Sequence, residues 1–293
     1  MNDLLARIYR KSRTHRWLYP IYLGLRLPLT FVQLARQEGV MGAARWLTIR
    51  ARFLLANHRR YGQAGFFDQP ITPFRSRHGF TLARPIEFII YDEIFLERCY
   101  DFPGLEEIVR SGPPVFVDFG THHGLVIDYL RTLRPDGHYY GAEMNPVALA
   151  AARERFGDDP RVHLHNVAIG GRPRQERFSL ATVSTEQSLG SPGNEGDLQV
   201  EVVTPVEFLR RCQLQNSPVN VLKMDIEGAE QEVFENPESI LPLLRHCRAL
   251  IIEIHDTAQV AMISNVLAGV GLEPGGTHGI NHFFRRKADE TKP

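Results

Sequence analysis

Five apolar stretches of this chain run directly into residues that can accept, donate or hold a charge. The first ends in Asp118-Phe119-Gly120 and continues through Thr121-His122-His123 to Gly124. The second ends in Glu143, and the third leads into Asn166-Val167-Ala168. The fourth closes on Lys223-Met224-Asp225-Ile226-Glu227-Gly228, the fifth on Glu253-Ile254-His255-Asp256. If these stretches are strands of one open α/β sheet, their carboxyl ends share an edge, where ligands bind in such sheets. Asp225, Glu227 and His255 are of the types that take a proton from a hydroxyl. With His122 and His123 they also suit a divalent metal. No HxxxH or HxH spacing occurs within that set, so no metal is expected.

The turn after the first stretch narrows the ligand. Gly120 lets the backbone reverse and lets a ligand approach without a Cβ in the way. The pattern Asp118-x-Gly120-x-x-x-Gly124 is not GxGxxG, because Thr121 and His122 are not glycine, so a pyrophosphate-binding turn is disfavoured. Glu143 follows Asp118 by 25 positions, at the next stretch's end. A carboxylate there can accept hydrogen bonds from both hydroxyls of a ribose. A nucleoside ligand without a pyrophosphate is implied, and S-adenosylmethionine fits.

Bulk composition sets the class. The 293 residues are 43% hydrophobic and 23% charged, as in an ordinary globular protein with a large core. The formal net charge is zero, so no nucleic-acid partner is expected. Cys99, Cys212 and Cys247 are far apart, which fits a reducing, cytoplasmic setting and argues against a disulfide framework or zinc knuckle. The charge is unevenly spread. Residues 1–60 hold twelve Lys and Arg against Asp3 and Glu38, a local +10, leaving −10 on the rest. Such a split can mark attraction to a membrane or polyanion.

The elements that must position these groups follow from periodicity. Residues 1–84 read as a basic helical extension and linker, with 61–82 irregular. Pro20, Arg26 and Pro28 argue against a membrane span. An interfacial segment with Trp17, Tyr19, Tyr22 and Phe31 at a lipid boundary would give a peripheral membrane contact. From 85 a short strand and a helix are expected, then a helix at PGLEEIV. Regular alternation begins at PVFVDFG, a buried strand followed by a helix over 124–134. HYYGAEM is a strand. Asn145 and Pro146 begin a helix as N-cap and first residue. RVHLHNVAIG is a third strand and turn. Thr204, Pro205 and Glu207 form a capping box before the next helix. VNVLKMDIEG and CRALIIEIHD are buried strands, separated by a helix that breaks near Pro237. A helix over AQVAMISNVLAGVG and a last strand, NHFFRRK, complete the chain. The polar stretch 178–200 reads as a mobile loop of the kind that covers sites. Apolar strands alternating with amphipathic helices mean a mostly parallel, doubly wound α/β sheet over 85–293.

The segments VFVDFGTHHG, YGAEMNP, NVAIG, VLKMDIEGAE and IIEIH, in this order and spacing, resemble the motifs of FkbM-type class I methyltransferases. The likeness covers about residues 85–286, and LKMDIEGAE is its most specific part. It implies a Rossmann-like fold and methyl transfer from S-adenosylmethionine, typically to a hydroxyl of a saccharide, glycolipid or secondary metabolite. By the same resemblance Asp118, Gly120, Thr121, His122 and Gly124 would shape the methionine end of the cofactor pocket. Glu143 would hold the ribose, and Asn166 to Ala168 would lie near the adenine, Val167 among them. Asp225 and Glu227 would face the methyl group and the acceptor, with His255 a further candidate base. Two positions depart from the pattern: Thr121-His122 replaces Ala-Asn, and Met144 replaces a proline. Two rival readings follow, a non-catalytic nucleoside-binding protein on the same fold and a metal-dependent hydrolase using the histidines and carboxylates.

Overall fold

The computed structural model describes residues 19–57, 67–178 and 198–287. The chain divides into two compact units: one takes the N-terminal helix and Gln69–Glu97, and the other includes Asp68 and everything from Arg98 onward. The division falls after Glu97 rather than at the expected 84/85 boundary, because the helix beginning at Pro85 packs with the first unit.

That first unit consists of α1 (Tyr19–Asn57), the short strands β1 (Phe74–Arg75) and β2 (Thr81–Leu82), and α2 (Pro85–Phe95). The helical path of α1 passes Pro28 and breaks at Gly39, where φ is 74° and ψ 165°. Beside the break, buried Glu38 accepts hydrogen bonds from the Tyr91 hydroxyl and from the Arg77 amide, the latter at 2.7 Å. Trp46 of α1 packs on Phe88 of α2, ring centroids 5.4 Å apart. The residues from 85 form helix alone, without the expected strand. Pro85 presets the first turn, and the Glu87 carboxylate accepts from the Ala83 and Arg84 amides. The stretch 61–82 is not wholly irregular, since β1 and β2 pair in antiparallel register. Among the described residues no helix is long and apolar enough to cross a membrane. Trp17 lies outside the described residues.

The second unit is a seven-stranded sheet with connecting helices. Its elements are α3 (Leu105–Ser111), β3 (Val115–Phe119), α4 (Leu125–Leu133), β4 (His138–Ala142), α5 (Pro146–Phe156), β5 (Val162–His165), β6 (Ala168–Ile169), β7 (Arg174–Phe178), β8 (Leu198–Val203), α6 (Pro205–Arg211), β9 (Val219–Met224), α7 (Glu230–Glu235), α8 (Leu241–His246), β10 (Cys247–Glu253), α9 (Val260–Ala268), β11 (Leu272–His278) and β12 (Asn281–Arg286). The strand order is β11-β12-β10-β9-β3-β4-β5. Strands β10, β9, β3, β4 and β5 are parallel, and β12 and β11 are antiparallel to their neighbours.

The central strands are apolar because both faces are covered. Every residue of β9 is buried, as are Phe116–Phe119 of β3. Val117, Phe119, Leu222, Met224, Leu250 and Ile252 share one core with Phe208 of α6. The chain first builds outward from β3 through β4 to β5, then returns to add β9 on the other side. That reversal falls between the carboxyl ends of β3 and β9, the switch point at whose edge open α/β sheets form their ligand crevice. Two expectations need correction. Glu207 does not close a capping box: its amide donates to Thr204 Oγ1, but its carboxylate pairs with Arg210 and Arg211. LEPGGTH, not foreseen as a strand, forms β11. Strands β6, β8 and β7 make a small second sheet, and residues 179–197 of the expected covering loop lie outside the described residues.

Candidate active site

The crevice is built from two tight strand ends in contact. Gly120 follows β3 with φ of 80°, and a Cβ there would sit 1.7 Å from the Asp225 carbonyl oxygen. Only glycine allows that approach. The Asp225 amide donates to the Phe119 carbonyl at 3.0 Å and locks the two ends together. Gly124, also at φ of 80°, starts α4 against the Phe156 ring. Between them His122 is left-handed, with φ of 51°. Asparagine and histidine both tolerate that region better than most residues, which explains how His122 can replace the family's asparagine.

The His122 amide donates to Glu143 Oε2 at 2.7 Å, and the Asn145 amide donates to Oε1 at 2.8 Å. Each carboxylate oxygen keeps capacity for one more donor. Burial raises the Glu143 carboxyl, and the two amides draw it back down. This is a cradle for two neighbouring hydroxyls, so the residues fit the ribose of the expected cofactor. Asn166 backs the cradle, its Nδ2 donating to the carbonyls of Glu143 and Met144 at 2.9 and 3.0 Å. The Val167 side chain is buried in the core, so only its backbone is available to a ligand. Thr121 is likewise occupied: its hydroxyl donates to the Asp118 carbonyl at 3.0 Å.

Asp118 does not cap its own turn. Its carboxylate is buried, and among the described residues its near partner is the Lys223 ammonium at 3.4 Å. Burial raises the Asp118 carboxyl, and Lys223 opposes that rise. Lys223, read at first only as part of a strand end, stands at the centre of the site. Its Nζ donates to the Gly120 carbonyl at 2.7 Å and lies 3.2 Å from Asp225 Oδ2.

Beyond Asp225 the chain turns sharply. Glu227 has φ of 55° and Gly228 94°. Glu230 holds this turn by accepting from the Ile226 and Gly228 amides at 2.9 and 2.8 Å. The Glu227 side chain is about one-third exposed and lies 3.8 Å from His255 Nε2. Burial, with Asp225, Glu253 and Glu230 close by, pushes the Glu227 carboxyl up to about 8. Glu253, absent from the expected site, is pushed up to about 7 by burial and by Asp225.

The histidines do not gather as a metal-dependent hydrolase would require. His123 is fully buried and pairs with Asp68 at 3.4 Å, and His122 stacks on it. Among the described residues only Asp225, Glu253 and His255 bring three ligand-type atoms within 4.8 Å of one another. Lys223 already supplies positive charge beside Asp225, and we assign no metal there.

The model of the methyltransferase FkbM domain matches residues 118–268, which hold the crevice, the cradle and the turn at Glu227. The chain belongs to the FkbM methyltransferase family. Its cofactor is accordingly S-adenosylmethionine. No curated protein sequence matches the chain. Solved structures with a similar fold include a precorrin-6y C5,15-methyltransferase from Geobacter metallireducens, 12% identical over 63% of this chain and 86% of that one, with a TM-score of 0.36. A ribosomal protein L11 methylase from Lactobacillus delbrueckii is 14% identical over 62% and 75%, TM-score 0.33. The hMettl16 catalytic domain, solved with an RNA hairpin, is 11% identical over 82% and 95%, TM-score 0.36. At these scores none of them bears on what this FkbM-family protein methylates.

Proposed function

We propose that this methyltransferase acts on a hydroxyl oxygen of a saccharide, glycolipid or secondary metabolite, with Glu227 as the general base. The observation that carries the reading is Glu227 itself. It is a half-buried carboxylate three residues beyond the end of β9, raised to about 8 and 3.8 Å from His255. A base with a pKa near the working pH is the most effective at accepting a hydroxyl proton. Asp225 is a poorer candidate because Lys223 engages it.

S-adenosylmethionine supplies a methyl group on a sulfonium, so an S–CH3 bond breaks as the O–CH3 bond forms and the products are S-adenosylhomocysteine and a methyl ether. The protein's part is to hold and align. Glu143 would accept hydrogen bonds from the ribose hydroxyls, and Asp118, Gly120 and Gly124 would bound the methionine end. The backbone at Asn166 and Val167 would lie beside the adenine. Glu227 takes the hydroxyl proton, and His255 stands close enough to stabilise or relay it. Positioning two reactants in line provides most of the acceleration such a transfer needs.

The partner is thus a small molecule or saccharide, and the methyl-transfer site lies in the unit that runs from Arg98 onward. The basic N-terminal region favours an anionic or membrane-held acceptor. The test is methyl transfer from labelled S-adenosylmethionine to a panel of hydroxyl acceptors, with the product's methylated atom fixed by NMR. A methyl ether supports the reading. A methyl on nitrogen or carbon, from the acceptor the enzyme turns over best, removes it.

A further inference from the structure

We propose that Lys223 is a positioning residue: it ties the Gly120 carbonyl and Asp118 at the cofactor end of the crevice to Asp225 at the acceptor end. This rests on the methyl-transfer reading above and deepens it.

The sheet does not need a lysine there. Position 223 is 3% exposed, and its strand neighbours Leu222 and Met224 are apolar and fully buried. It stands in register between Asp118 of β3 and Ile251 of β10. Burying an ammonium costs several kcal/mol unless partners answer it. Here three do, from both sides of the switch point. They are the Gly120 carbonyl at 2.7 Å, Asp225 at 3.2 Å and Asp118 at 3.4 Å. Although burial disfavours its charge, the carboxylates of Asp225, Asp118 and Glu253 outweigh it and keep the ammonium protonated.

The chemistry follows from the Asp118 oxygens, which are buried and which, among the described residues, have the Lys223 ammonium at 3.4 Å as their near partner. An ionised carboxylate there suits the amino group of the cofactor's methionine portion. Lys223 is the cation that favours that ionised form. The acidic groups that act on this cluster are Asp225, Glu253, Glu227, Glu230, Glu143 and Tyr100, and His255 stands beside it, 3.8 Å from Glu227. Among the described residues Lys223 is the only cation that acts on Asp118, while His255 offsets Glu253 and Glu230. Its hydrogen bond to the Gly120 carbonyl also fixes the turn that borders the cofactor, so one side chain aligns donor and acceptor halves.

The experiment is calorimetric titration of S-adenosylhomocysteine between pH 6 and 9 on the full chain and on Lys223→Gln. In the variant Asp118 holds its proton to higher pH, so the acidic limb of the affinity profile should move up by about one to three units. Affinity at pH 7 should fall at least tenfold. The same titration with 5′-methylthioadenosine, which lacks the amino-acid portion, should show no such movement. Lys223→Arg should keep the wild-type profile, and Asp118→Asn should abolish the acidic limb. The last two variants carry the test alone if Lys223→Gln does not fold. An unmoved profile in Lys223→Gln, or an equal movement for both ligands, overturns the inference. So does an acidic limb that persists in Asp118→Asn. A wild-type protein that binds neither ligand overturns the underlying cofactor reading instead.

Discussion

Gly120 and Asp225 meet backbone to backbone: a single added carbon on Gly120 would lie 1.7 Å from the Asp225 carbonyl oxygen. The turns after β3 and β9 are therefore one mechanical unit, joined again by Lys223 through the Gly120 carbonyl.

Gly120→Ala tests that unit. The added methyl meets backbone, which cannot swing aside, and the left-handed φ is unfavourable for alanine. Methyl transfer should fall at least a hundredfold even if the fold survives, as followed by initial rates and circular dichroism. An active, stable Gly120→Ala protein would show that the turn opens more freely than its contacts indicate.

Glu227→Gln tests the base. With a pKa of about 8, the carboxyl is mostly protonated at pH 7 and becomes competent as the pH rises. The rate should therefore climb about tenfold per unit from pH 6 and level off above about 8. Glu227→Gln should lower the plateau and remove this limb. A rate limb unchanged in the variant would transfer the role to His255 or Asp225.

Phe208 links the core to the site. It is fully buried on α6, its ring edge-on to Phe119 at 5.3 Å, one residue beyond Asp118. Phe208→Ala should cost about 3–5 kcal/mol. That would lower Tm on the order of 10 °C, and thermal unfolding by calorimetry would show it. A change below about 1 kcal/mol would mean that the cavity collapses with no loss of packing.

Chelation tests the charge balance. If Lys223 answers the carboxylates, methyl transfer should be unaffected by excess EDTA. Activity lost to EDTA and restored by one divalent cation would reassign Asp225, Glu253 and His255 as ligands.

Much of this was readable from the chain, and the parts that were not have physical reasons. Strands β3, β9 and β10 announced themselves because strands buried on both faces are nearly continuous apolar runs. Asn145 and Thr204 cap their helices as their types suggest, accepting from the Val147 and Glu207 amides. LEPGGTH hid its strand because proline and two glycines read as a turn. It is an edge strand with an irregularity between Pro274 and Gly276, where such residues are tolerated. Lys223 hid its role for a different reason. Its partner Asp118 is remote in sequence and reaches it only through strand pairing. The Glu143 cradle was legible as a carboxylate at a strand end. That backbone amides of His122 and Asn145 hold it could not be read from side-chain types.

The most direct test of the account is calorimetric titration of S-adenosylmethionine into the wild-type protein and into Glu143→Gln. The account predicts micromolar binding, on the order of −8 kcal/mol. It also predicts a loss of about tenfold to a hundredfold in the variant, since a hydrogen bond to a charged group contributes about 1.5–3 kcal/mol, with a lower Tm because the Gln amide nitrogen meets one of the two backbone amides that Glu143 accepts. Equal affinity in both proteins would contradict the ribose cradle, and no binding in the wild type would contradict the site itself.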